Sequence, residues 1–323
     1  MKNYNFIQRL LHDLLLKTNF MKKSLYEIEK KIFLDKNNRV DENKHVFISG
    51  LPRSGTTSLL NFLYNSNNFT SLTYEHMPFV LSPNLFSKIK INDNFEKIER
   101  PHKDGIFYDL KSPESFDEIF FSTFTEKLIE DELVNFISLV LMKKKNKKYL
   151  NKNNLNYKRI DLIQKILPNS FFLITYRDPL QHAFSLYNQN LNFIEIQKKD
   201  DFARRYMNYL GHQEFGNNHK PWNKSNLYYD VNTLNYWLEQ WLIFYKDIVK
   251  NHVNRKNLYF LRCESFTDND YANRIMDKLE INKKPLPQFK TSNKKIKLNY
   301  DKDLHNMTKE IYNKFDDFKK NII

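Results

Sequence analysis

Gly50-Leu51-Pro52-Arg53-Ser54-Gly55-Thr56-Thr57 constrains this chain more than any other stretch. An apolar run, His45-Val46-Phe47-Ile48-Ser49, leads into it as a strand would. Thr57-Ser58-Leu59-Leu60-Asn61-Phe62-Leu63 leads out with the look of a helix. Strand, glycine loop and helix in that order aim backbone N–H groups and a helix N-terminus at an anion. Loops that grip nucleoside triphosphates read G-x-x-x-x-G-K-[ST], with the lysine on the outer phosphates. Here Thr56 stands at the lysine position and the cation comes earlier, at Arg53. The loop is therefore expected to grip a phosphate without the usual hold on a triphosphate. The chain has only 5 glycines, so finding Gly50 and Gly55 together in this loop argues against a chance match.

A chain of 323 residues, 41% of them hydrophobic, has ample material for a large core. With 52 Lys+Arg against 38 Asp+Glu the formal charge is +14, which suits anionic partners. Much of that excess is lysine beside asparagine, as in Lys143-Lys144-Lys145-Asn146-Lys147-Lys148, and reads as a solvated loop. Cys263 is the only cysteine, so no internal disulfide can form and a reducing, cytoplasmic setting is expected. Leu10-Leu11 and Leu14-Leu15-Leu16, broken by His12 and Asp13, are too short and polar to span a bilayer. Their spacing predicts an amphipathic helix packed on the domain, with a helix lying on a membrane surface as the alternative.

Further along, helices are expected over 6–17, 24–34, 126–142, 157–167, 180–189, 236–250, 271–279 and 303–318. Pro113-Glu114-Ser115-Phe116 has the proline and acid that favour a helix start. Strands are expected at 71–74, 148–150, 171–176 and 258–261. Phe171-Phe172-Leu173-Ile174-Thr175-Tyr176 is apolar throughout, as a strand buried on both faces would be. Strand–helix alternation predicts an α/β fold of three layers, a central parallel sheet between helices, with extra N- and C-terminal helices. Ligands of such sheets sit at the carboxyl ends of the strands, and the 50–57 loop, Glu75, Lys152 and Arg177 all follow strand candidates.

Two motifs make the chain resemble the sulfotransferases that use 3′-phosphoadenosine-5′-phosphosulfate (PAPS). Pro52-Arg53-Ser54-Gly55-Thr56-Thr57 is similar to that family's 5′-phosphosulfate loop. Tyr176-Arg177-Asp178-Pro179 with Ser185 eight positions after the arginine is similar to its 3′-phosphate element. The resemblance implies a P-loop-NTPase-like fold in one domain: a helical extension over 1–40, a PAPS-binding core over 45–190, and a mostly helical completion over 191–323. It implies PAPS as donor, 3′,5′-adenosine bisphosphate as product, and no required metal. A guanidinium suits the 3′ phosphate because it binds in bidentate fashion. Charge that builds on the leaving phosphate calls for fixed donors, which Arg53, the loop N–H groups and Thr56 and Thr57 can supply.

The acceptor hydroxyl or amine needs a base. Glu75 is the first candidate because glutamate-using branches of the family resemble this chain there; His102 is the second. Lys152, in Leu150-Asn151-Lys152, matches a lysine that members place near the transferring sulfonate. His212, Glu214 and His219 fit no standard metal spacing, and an acceptor-facing loop is the expectation for them. Lys294 and Lys295 fall where adenine-side contacts would. The acceptor is expected to be a small molecule or glycan, with no nucleic-acid partner and no integral membrane segment. Two other functions fit less well: a kinase or NTPase with a degenerate loop, and a non-enzymatic polyanion binder.

Overall fold

A computed structural model describes residues 4–34, 44–87, 96–142, 144, 147–223, 228–282 and 294–318. Its strands are β1 (Val46–Ser49), β2 (Phe69–Thr70), β3 (Ile98–Glu99), β4 (Phe107–Tyr108), β5 (Lys148–Lys152), β6 (Phe171–Tyr176) and β7 (Leu258–Arg262). Five of them form one sheet in the order β2-β5-β1-β6-β7, every neighbouring pair parallel. β3 and β4 make a separate antiparallel hairpin.

The apolar runs dictate the layers. β1 and β6 are buried at every position, so both faces of the sheet need cover. Side chains alternate between faces. Val46, Ile48 and Leu173 point into one apolar cluster; Phe47, Phe172 and Ile174 point into the other. The first cluster is closed by Leu59, Leu60 and Leu63 of α3 (Thr56–Asn65) and by Ile275 and Met276 of α10 (Asn269–Lys278). The second is closed by α7 (Pro179–Lys199), α9 (Leu234–His252) and α11 (Lys302–Asp317), with Trp237, Trp241 and Phe315 fully buried. The remaining helices are α1 (Phe6–Leu16), α2 (Asn19–Phe33), α4 (Glu118–Thr123), α5 (Glu126–Leu141), α6 (Ile160–Ile166) and α8 (Asp201–Tyr209).

Several elements differ from their sequence patterns. β2 lies at Phe69–Thr70, and Tyr74–His76 is a 3-10 turn where an extended piece ending at Glu75 was expected. The helix expected at Pro113 starts only at Glu118. Pro113 instead bridges Thr73, and Glu114 turns inward. α2 begins at Asn19 because the Thr18 side chain caps it. α7 continues to Lys199, capped at its start by the Asp178 carboxylate on Gln181 N at 2.9 Å. α1 is packed on the domain, but with the polarity reversed: Gln8 and His12 are buried beside Leu15 and Leu16, while Phe6, Ile7, Leu10 and Leu14 face solvent. Among the described residues no helix is long and apolar enough to cross a membrane.

Candidate active site

The 50–57 loop leaves β1 through Gly50 at φ +137°, close enough to β6 that a Cβ there would meet Thr175 Oγ1 at 2.5 Å and Thr175 O at 2.6 Å. Gly55 caps α3 in the left-handed region, with φ +89°. Arg53 is also left-handed at φ +73°, an uncommon setting for a side chain that throws it out of the loop. Ser54 is turned in: its hydroxyl donates to Leu51 O at 2.6 Å and lies 2.6 Å from Thr175 Oγ1. Its N–H is also used, on Leu51 O. Ser54 therefore braces the loop. His182 of α7 braces it from below, with Nε2 2.8 Å from Pro52 O. Burial pushes the His182 pKa down to about 3, so the ring is neutral and its N–H serves that carbonyl. Thr56 and Thr57 open α3, whose first N–H groups have no partner within the helix.

The β3–β4 hairpin lies over this loop. Its tip carries Pro101-His102-Lys103-Asp104-Gly105, and five charged groups interlock beneath it. Arg53 Nη1 reaches Asp104 Oδ2 at 2.6 Å, and Arg53 Nε reaches Ser185 Oγ at 3.2 Å. Arg100 is ion-paired to the same Asp104 and donates to Thr57 Oγ1 at 3.1 Å. Glu114 takes Lys152 at 3.3 Å and Arg100 at 3.6 Å. Cation and carboxylate alternate from Arg53 through Asp104, Arg100 and Glu114 to Lys152. Burial works to raise both acids, but the neighbouring cations prevail. Arg100 and Arg53 hold Asp104 well below the usual carboxylate range; Lys152, Arg100 and the Ser115 N–H bring Glu114 down to about 2.

Two clefts open on either side of Arg53. One, with about 700 Å³ of empty space, is lined by Arg53, Lys103, Arg177, Ser185 and Lys294. No carboxylate is among its described lining residues. Arg177 also donates to the Arg53 carbonyl at 3.4 Å, and Lys294 is tied to Gln181 through its backbone. The other, about 880 Å³ with its open mouth, is floored by Pro52, Thr56, Thr57 and Lys152 and walled by Phe193, Tyr206, Met207, Leu210 and Phe215. Arg53 and His102 border both clefts. His102 is buried against Phe193, and its Nδ1 has no hydrogen-bond partner among the described residues. Burial, then the charges of Arg100 and Arg53, hold its pKa well below the ordinary value, so the imidazole is unprotonated near neutral pH.

Arg53, Thr56, Thr57, Lys152 and His102 thus meet around one cleft, and Arg177 and Ser185 meet Arg53 at the other. Glu75 does not join them. It is exposed on the 3-10 turn and lines neither cleft. β2 ends at Thr70, four residues before the end of the expected strand, so Glu75 falls in the 3-10 turn and not at a strand's carboxyl end. His212 and Glu214 border the wider cleft, whereas His219 is taken up by Glu214 O at 2.7 Å and Tyr236 at 2.6 Å. Sequence reading missed Arg100, Asp104, Glu114 and His182. Only Glu114 carried a signal, and its Pro-Glu pair pointed to a helix start.

Parallel strands, a glycine loop between strand and helix, and a cleft at the carboxyl ends of the strands lined by Arg53, Lys103, Arg177 and Lys294 define an α/β protein of three layers. The chain belongs to the sulfotransferase family, whose model matches residues 45–230. Its fold is similar to that of sulfotransferase STF1 from Mycobacterium tuberculosis H37Rv. Identity is 11%, coverage 87% of this chain and 79% of that one, and the TM-score 0.54. Sulfotransferase STF9 from Mycobacterium avium aligns at 12% identity over 96% of this chain and 78% of its own, with a TM-score of 0.47. No curated protein sequence matches the chain.

Proposed function

We propose that this chain moves a sulfuryl group from PAPS to a hydroxyl, or an amine, of an acceptor with an apolar body. The observation that carries the proposal is the junction at Arg53, where a cleft whose charged lining residues are all basic meets a cleft with apolar walls, His102 bordering both. The donor set suits PAPS. Arg177, Lys103, Lys294 and Ser185 offer cations and a hydroxyl for the 3′ phosphate, and the loop needs no lysine at Thr56 because only one 5′ phosphate has to be held. When bound, PAPS supplies the sulfuryl group and leaves as 3′,5′-adenosine bisphosphate.

The chain's own residues divide the remaining work. Arg53 and the N–H groups of Thr56 and Thr57 offset negative charge on the departing phosphate. Lys152, fixed by Glu114, offers a cation at the floor of the acceptor cleft. His102 takes the acceptor proton on an imidazole that borders both clefts and is kept neutral by its surroundings. Glu114 is a weak base, since Lys152 and Arg100 hold its pKa down to about 2 and both cations occupy its oxygens. Glu75 is exposed and lines neither cleft. The single cysteine, Cys263, suits a reducing cytoplasm.

Calorimetry tests the reading. Binding of 3′,5′-adenosine bisphosphate without Mg²⁺, together with weak binding of ATP with Mg²⁺, is expected. The reverse would favour a kinase or NTPase. Equal binding of any polyanion with a steep salt slope would favour a non-enzymatic function. Transfer of label from radioactive PAPS across hydroxyl- and amine-bearing acceptors then identifies the acceptor.

A further inference from the structure

The outward face of α1 is apolar for a reason the enzyme's chemistry does not use. A period of 3.6 residues puts Phe6, Ile7, Leu10 and Leu14 within about 100° of arc. All four are exposed, Phe6 by 80% and Leu10 by 57%. Phe20, at the start of α2, is exposed by 78%, and Ile28 and Ile32 are exposed further along that helix. These are not loose ends. Asn5 and Gln8 close a capping box at the start of α1. One flank of the helix is pinned by Arg9 to Asp200 at 3.2 Å and by Asp13 to Arg205 and Tyr209, and the opposite face is buried through Gln8, His12 and Leu15. The helix is held rigid with its hydrophobic side turned to water, an arrangement that marks an interaction surface.

Charge selects the occupant. Lys17 lies on the same arc of α1 as Phe6 and Leu10, and Lys31 on the same arc of α2 as Phe20 and Ile28; both are exposed. The acids nearby are already used: Asp13 by Arg205, and Glu27 by Lys30 at 3.0 Å. A second copy would bring another +14 chain and more lysines onto this face. An anionic bilayer complements both the apolar ridge and its cationic edge, in the manner of interfacial amphipathic helices. α8 lies directly behind: Tyr4 touches Tyr206 at 3.3 Å, and Tyr206 and Met207 line the wider cleft. Docking here sets the wider cleft one helix from the lipid.

We propose that the outward face of α1 and α2 docks on an anionic lipid bilayer. The claim does not depend on the donor or acceptor, and its test reads binding rather than turnover. The full chain is floated with vesicles of phosphatidylcholine containing phosphatidylglycerol, and with pure phosphatidylcholine vesicles. It is expected to float with the anionic vesicles, less with the neutral ones, and less as salt is raised. Leu10→Ser with Leu14→Ser should weaken binding by ~10-fold or more without lowering the melting temperature. Lys17→Glu with Lys31→Glu should erase the preference for anionic lipid. If the double serine variant fails to fold, Phe6→Ser carries the same expectation at the most exposed position. Failure of the full chain to bind anionic vesicles overturns the proposal, as does binding indifferent to the serines. A dimer in sedimentation that the same serines dissociate overturns it too, and assigns the face to a second copy.

Discussion

Arg53 stands between two clefts with its guanidinium already shared by Asp104 and Ser185. Removing it should strip charge from both sides at once. Arg53→Ala is expected to weaken 3′,5′-adenosine bisphosphate binding by roughly 10–100-fold, the range for a charge-assisted hydrogen-bond pair, and to lower turnover as well. Calorimetry and initial rates read the two losses separately. His102→Gln should behave differently: unchanged affinity for the bisphosphate, but turnover lower by about 10²–10⁴-fold, the usual worth of a positioned base. Glu75→Gln should leave both within about twofold, since an exposed surface substitution has little to disturb. An inactive Glu75→Gln enzyme with normal binding would return the proton to Glu75. At this scale the sequence was legible where function is local. Arg53, Thr56 and Thr57 sit in one loop, and Arg177 and Ser185 lie eight residues apart. It was illegible where side chains meet by tertiary packing. Nothing near Glu114 in the chain foretells Lys152, and nothing near Asp104 foretells Arg53.

The strand–loop–helix unit works only because Gly50 tolerates what a side chain does not. At Gly50 the left-handed φ of +137° coincides with contact on Thr175 of β6 and on the Ser54 hydroxyl of the loop. Gly50→Ala should therefore cost about 2–4 kcal/mol, strain and clash together. Gly105, at the tip of the β3–β4 hairpin, has φ +76° but open space around it. Gly105→Ala should cost only about 1–2 kcal/mol, the left-handed backbone penalty alone. Urea midpoints of the two variants give the comparison, and equal losses would refute the packing argument. Elements that bury both faces, β1 and β6, show their nature in unbroken apolar runs. Short elements do not. β2 has two residues, and the Pro-Glu at 113–114 looked like a helix start because local propensity cannot register a buried ion pair. α1 misled for a related reason: its pattern of leucines was read as a core face, yet two of the five, Leu10 and Leu14, face solvent.

Across the whole molecule, buried titratable groups set how acid acts on the fold. Burial lowers His12 to about 4 and His182 to about 3, against an ordinary 6.5. His102 is depressed as well, by burial and then by Arg100 and Arg53. Each binds a proton more readily unfolded than folded. Each therefore adds stability that is present above pH 6.5 and is lost as pH falls toward its folded value. Asp117 runs the other way. Burial raises it from 3.8 to about 7, so its contribution is full below pH 3.8 and is lost as pH rises through 7. Between pH 6.5 and 5 the depressed histidines outnumber the single raised acid. With about 1.4 kcal/mol per pH unit for each fully titrating group, the net effect is a fall in stability on acidification. Thermal melts across that range should show the melting temperature dropping with pH, more steeply in Asp117→Asn and less steeply in His12→Gln. A melting temperature that rises on acidification would contradict the assignment of neutral buried histidines. Asp104 and Glu114 stay ionised throughout, because the cations around them hold both far below this window. Activity lost on acidification while the fold still holds would thus report protonation of His102 rather than collapse of the charge network beneath it.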